Sequence, residues 1–163
     1  MKKVFQTNID KDNGNCMQAI IASLFEMDIN DVPNFISFYN AKNTNPHFEL
    51  LKFLRTKGYN YSIWTSSYLL HDGGLKLKHD LNLTKRILKI DGGINNYFYA
   101  SVKSQTFDKV THAVIIDNEM NIIHDPNPNQ LALKLKAEDI LDIITCSDNW
   151  YIDINGELII NKN

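Results

Sequence analysis

The chain has 163 residues, 44% of them apolar and 22% charged, with a formal net charge of −2. That size and balance argue for one globular domain, residues 1–163, around one core, and they exclude a chain built to neutralise phosphates. The opening Met1-Lys2-Lys3-Val4-Phe5 runs straight into Gln6-Thr7-Asn8-Ile9-Asp10 without an apolar signal segment, and no stretch has transmembrane length, so no membrane partner and a cytoplasmic location are expected.

In chain order, Asp10 to Asn15 is a polar turn, and Met17, Ala19, Ile20, Ile21, Leu24 and Phe25 then recur with helical spacing, which predicts a helix from about Cys16 to Met27. Asp28, Asn30, Asp31 and Val32-Pro33 turn the chain. Asn45-Pro46 has the form of an N-cap with proline in the first turn, and Phe48 to Leu54 continue as a helix that Gly58 ends. Tyr59 to Trp64 reads as a short strand. Ser66 to Leu83 has no clear period apart from a turn at Asp72-Gly73-Gly74. The densest basic stretch, Lys76, Lys78, Lys85, Arg86 and Lys89, is interleaved with apolar residues and Asp80 and reads as a solvated face, so no nucleic-acid partner is expected. Strands are predicted at Arg86–Ile90, Asn95–Lys103, His112–Asp117 and Asn121–His124, a short helix at Ala137–Ile144, and a closing hairpin from Trp150 to Ile160 around a two-residue Asn155-Gly156 turn. Helices first and antiparallel strands after make an α+β chain, with N-terminal helices packed on a mainly antiparallel sheet.

Cys16 is placed where chemistry is easiest. A thiol in the first turn of a helix meets outward-pointing N–H groups and the positive end of the helix dipole, which favour the thiolate. A thiolate nucleophile needs a base and a group that orients the base. His112 opens an apolar strand and Asp125 ends the next one, so reversal of the chain brings both to one edge of the sheet. The carboxylate then holds one ring nitrogen and leaves the other to the Cys16 proton. Donors for a developing oxyanion are the Cys16 N–H and a side-chain amide, with Gln6 the first choice and Asn13 and Asn15 as fallbacks. Each has a plainer reading beside it. Cys16 fits a small buried residue, His112 a core histidine, and Asp125, Asn13 and Asn15 turn residues. Strand alternation turns His124, a rival base, away from Asp125's side. Cys146 reads as a structural thiol, and Trp64, Tyr68 and Trp150 as core or rim aromatics. His47, His71 and His79 lack ligand spacing, so no metal and no cofactor are expected. Asn127-Pro128-Asn129 reads as a rigid loop that borders any groove there.

Gln6, Gly14-Asn15-Cys16-Met17-Gln18-Ala19, Ala22-Ser23-Leu24, Val32-Pro33-Asn34-Phe35, His112-Ala113-Val114 and His124-Asp125-Pro126-Asn127-Pro128 together resemble papain-like cysteine peptidases. More narrowly they are similar to small phage-type proteins of that superfamily, with bacteriocin-leader peptidases as more distant relatives. The resemblance covers about the first 35 residues and residues 111–130, and the ten-residue gap from Gln6 to Cys16 is longer than the usual papain-like spacing. It implies a papain-like fold, Cys16 as nucleophile, His112 as base, Asp125 as orienting acid and Gln6 in the oxyanion hole. A phage origin would place the protein in a host cytoplasm.

The expected activity is that of a thiol hydrolase, a cysteine peptidase or amidase. Its substrate would be a peptide, a protein or a small amide, cleaved at a peptide, isopeptide or amide bond, with acyl transfer to an amine the variant outcome. The alternative from another class is a papain-like scaffold, weak or inactive in catalysis, that binds and sequesters a partner.

Overall fold

A computed structural model describes residues 1–42, 44–59, 62–65, 81–145, 150–152 and 157–160. The elements are α1 (Cys16–Leu24), α2 (Phe35–Lys42), α3 (Pro46–Thr56), β1 (Ser62–Thr65), α4 (Leu81–Asp91), β2 (Tyr97–Lys103), β3 (Thr111–Asp117), β4 (Ile122–His124), β5 (Ile140–Thr145), β6 (Trp150–Ile152) and β7 (Leu158–Ile160). Helices α1, α2 and α3 precede a five-stranded sheet of order β1-β5-β2-β3-β4, antiparallel throughout, and β6 pairs with β7 in a separate ribbon. The class is α+β, as the sequence predicts.

The central strands are buried on both faces, and alternation divides their side chains between two apolar clusters. Tyr99, Ala113, Ile115 and Ile144 pack with α1, α2 and α3 through Met17, Ile20, Ile21, Leu24, Phe35, Leu50 and Leu54. Phe98, Ala100, Val102, Val114, Ile116 and Ile143 pack on the other face with Leu88 of α4, Met120 and Ala132. Strand β3, which carries His112, is therefore clamped between two cores.

Helix α1 stops at Leu24, short of the expected Met27, because the chain closes a Schellman turn: Met27 N–H donates to Ala22 O, Glu26 N–H donates to Ser23 O, and Glu26 takes φ 56°. Asn45 caps α3 as expected, its side chain accepting from His47 N–H at 2.9 Å. Gly58, at φ 80°, follows the helix end. Helix α2 has no counterpart in the sequence reading. Its signal is Asn34, whose Oδ1 accepts from the N–H groups of Ile36 and Ser37 at the helix start.

Two predicted elements are corrected. Arg86–Ile90 is not a strand but the second half of α4, in which Thr84, Ile87 and Leu88 form one buried helical stripe. The stripe begins upstream of the segment that looked like a strand. Ala137–Ile144 is not a helix. A single 3-10 turn, Ala137–Asp139, leads into β5, which inserts between β1 and β2. Four of its six residues, Ile140, Ile143, Ile144 and Thr145, are β-branched and buried, which suits a central strand. The closing hairpin pairs Ile152 with Leu158, whereas a two-residue turn at Asn155-Gly156 would pair Ile152 with Ile159. Residues 153–156 lie outside the described residues, as do Ser66–Asp80, Tyr68, His71, His79 and Cys146, and the side chains of Trp64 and Trp150. Among the described residues no helix is long and apolar enough to cross a membrane.

Ile116 has no exposed surface. Ile116→Ala is expected to lower unfolding free energy by about 3 kcal/mol in urea titration. A loss below about 1 kcal/mol would contradict the burial of β3 on both faces.

Candidate active site

Cys16 is the first residue of α1, and the chain before it is shaped tightly. Asp10 Oδ1 accepts from the N–H groups of Asp12 (2.9 Å) and Asn13 (2.7 Å), an Asx-type turn. A Cβ on Gly14 would lie 2.5 Å from Asp10 O, so only glycine lets the turn close ahead of the cysteine. Asn15 occupies the N-cap but spends its side chain elsewhere. Its Oδ1 accepts from the N–H groups of Thr7 (3.1 Å) and Asn8 (3.0 Å), and its Nδ2 donates to Thr7 Oγ1 and Gln18 Oε1. No side-chain cap fills the first turn of the helix, and of its N–H groups that of Met17 serves the Cys16 sulfur.

Asp125 follows His112 by 13 positions, and the β3–β4 hairpin returns one to the other: His112 Nε2 lies 2.8 Å from Asp125 Oδ1. A carboxylate accepts, so Nε2 carries the hydrogen and Nδ1 is the nitrogen left for the thiol. Asp125 is 1% exposed, and its carboxylate is fully engaged. Oδ1 also accepts from Asn127 N–H and Oδ2 from Ala132 N–H, each at 2.8 Å. Residues 125–132 thus wrap the carboxylate.

The ionisation of the three groups follows from this packing. Burial alone would raise the Cys16 pKa, but a hydrogen bond and charge from His112, helped by the N–H groups of Ala113 and Met17, outweigh it and hold the thiol below its ordinary value. Burial alone would lower the His112 pKa. The bonds to Asp125 and Cys16 and their negative charges overcome it and raise the imidazole to about 9. For Asp125, burial is outweighed by His112 and by the Ala132 and Asn127 N–H groups, and its carboxyl is held below the usual range. The arrangement favours a thiolate–imidazolium pair backed by a carboxylate.

Gln6 is brought in by the N-terminal segment, which is laced to both sides of the site. Val4 N–H donates to Ser23 Oγ of α1 at 2.9 Å, His124 Nε2 donates to Val4 O at 2.8 Å, and Gln6 N–H donates to Pro126 O at 2.9 Å. Gln6 is 8% exposed. Its Nε2 makes one long bond, 3.4 Å to Asn8 O, and its buried Oε1 has no hydrogen-bond partner. Of the two fallback amides, Asn15 is committed as described, and Asn13 is exposed with its Oδ1 accepting from Asn40 Nδ2. The rival base, His124, is turned to Val4 and edge-on to Phe5, away from Cys16.

Gln6, Cys16, His112 and Asp125 line one cleft of about 90 Å³. The β2–β3 connection forms one wall, including Thr106, whose Oγ1 accepts from Asn127 Nδ2 at 3.4 Å. Asn127 is therefore a border residue, as expected of that loop. Ile9, Ile36, Phe107, Val110 and Leu131 also line the cleft and escape the sequence reading, because nothing in their spacing ties them to Cys16. Among the described residues no group of three His, Cys, Asp or Glu side chains is placed to hold a metal ion. No family model, no curated protein and no solved structure matches the chain.

Asp125→Asn is expected to cost about 3 kcal/mol near neutral pH, because it breaks a buried pair and sets an amide N–H against backbone donors. The Asp125 pKa is lowered by folding, so its contribution is present above the ordinary carboxylate pKa of about 3.9 and is lost as pH falls below it. Urea titrations of both proteins at several pH values should show their stabilities converging below about pH 4. A gap that does not narrow in acid would contradict this role for the carboxylate.

Proposed function

We propose that this protein is a thiol hydrolase of papain-like fold. Cys16 is its nucleophile, His112 its base and acid, Asp125 the group that orients the imidazole, and Gln6 with the Cys16 N–H the oxyanion donors. The observation that carries the reading is the 2.8 Å bond from His112 Nε2 to Asp125, which fixes the tautomer and leaves the other ring nitrogen for Cys16 in the same cleft. The order Gln6, Cys16, His112, Asp125 and the helix-start position of the cysteine agree with it.

The steps follow from the ionisation of the pair. The thiolate sulfur bonds to the carbonyl carbon of an amide, and the carbonyl electrons move to oxygen beside the Cys16 N–H and the Gln6 amide. The imidazolium gives its Nδ1 proton to the departing nitrogen, the C–N bond breaks, and a thioester remains. Water then loses a proton to Nδ1 and bonds to the acyl carbon. The C–S bond breaks, and the carboxylic acid and the thiolate–imidazolium pair are restored.

Iodoacetamide labelling at graded pH tests this reading. The Cys16 adduct is expected to form with a half-point well below the free-thiol value of about 8.5, and His112→Ala should raise it to that value or above, since burial alone raises the thiol's pKa. Slow turnover of p-nitrophenyl acetate should vanish in Cys16→Ala. A free-thiol labelling profile in the wild type, with no ester turnover, would overturn the hydrolase reading in favour of a binding scaffold.

A further inference from the structure

Two of the large apolar side chains that the described residues leave exposed, Ile9 at 44% and Leu131 at 37%, line the Cys16 cleft. They come from segments tied to the reacting groups. Ile9 follows Asn8, whose carbonyl accepts from Gln6 Nε2, and Leu131 precedes Ala132, whose N–H donates to Asp125. The bond from Gln6 N–H to Pro126 O joins the two segments. The half-buried Ile36, Phe107 and Val110 continue the apolar lining. Exposed large apolar side chains gathered at one concave site are covered when the site is filled, and whatever the Cys16 sulfur attacks must lie in this cleft.

We infer that Ile9 and Leu131 seat a bulky apolar group that the substrate carries beside the bond attacked by Cys16. This rests on Cys16 as the nucleophile. The substrate class it names is an acyl or amide compound with a branched-aliphatic or aromatic side chain next to the reacting carbonyl, and not a small polar amide. Each methylene that leaves water against these two side chains raises the rate of capture by up to about fourfold.

The test uses the full chain and three reagents of one chemistry, iodoacetamide, N-butyliodoacetamide and N-hexyliodoacetamide. Cys16 adducts are counted by peptide mass spectrometry, which keeps Cys146 out of the count, and each rate is divided by that of N-acetylcysteine with the same reagent. The hexyl reagent is expected to show a normalised preference of about tenfold or more over iodoacetamide. Ile9→Asn/Leu131→Asn should bring the ratio below about twofold. Should that pair of changes prevent folding, Leu131→Ala alone is expected to lower the ratio about threefold. A wild-type ratio near one, or a preference that survives the substitutions, overturns the inference. Because the ratio is taken at one pH, thiolate fraction cancels from it. Failure of the thiolate reading shows separately, in the pH profile of iodoacetamide itself.

Discussion

The bond between His112 and Asp125 is the constraint on which the site depends. It is made by a carboxylate almost fully removed from water, an expensive placement unless every oxygen is engaged. Here the Asn127 and Ala132 N–H groups and the imidazole supply the donors. The carboxylate therefore organises its own loop, and the loop holds the carboxylate against the ring. With Nε2 spent on Asp125, the protonation of the other nitrogen is linked to the sulfur, and the two titrate as one system.

The sheet and the N-terminus make that bond useful. Burial of β3 between two cores fixes where His112 leaves the sheet, and the hairpin returns Asp125 beside it. A register shift between Ile115 and Ile116 leaves Ile123 without a partner on β3 and sets His124 opposite Ile115. His124 is thereby free to hold the N-terminal segment through Val4 O, and the same segment delivers Gln6. The segment also leaves two buried polar atoms without partners, Gln6 Oε1 and His124 Nδ1. The first belongs to a residue that lines the cleft. The second is consistent with burial holding the His124 pKa below its ordinary value.

What could be read from sequence was what depends on local chemistry. Cys16 stood out because a turn meets a helical period there, α3 because Asn45-Pro46 is a strong start, and β2 and β3 because their apolar runs are bounded by turns. The structure brings Cys16, His112, Asp125 and Gln6 to one cleft; spacing implied only that His112 and Asp125 would meet, and Cys16 and Gln6 were joined to them by the needs of the chemistry and by the resemblance. The failures came where tertiary packing decides. Arg86–Ile90 has residues that suit a strand, and only its continuation from Leu81 shows the helical stripe. Ile140–Thr145 became a central strand because β1 and β2 leave a place between them, which no local window reveals. Ile9 and Leu131 join the site through backbone ties to Gln6 and Asp125, and Asn15 leaves the list of oxyanion donors for the same kind of reason.

The central claim is that Cys16 and His112 rest as a charged pair. The most direct measurement is the titration of the His112 ring followed by nitrogen-edited NMR. The account predicts an imidazolium that persists well above the ordinary histidine pKa and titrates near 9. A ring that loses its proton near pH 6.5, with Cys16 still a neutral thiol at pH 7, would contradict it.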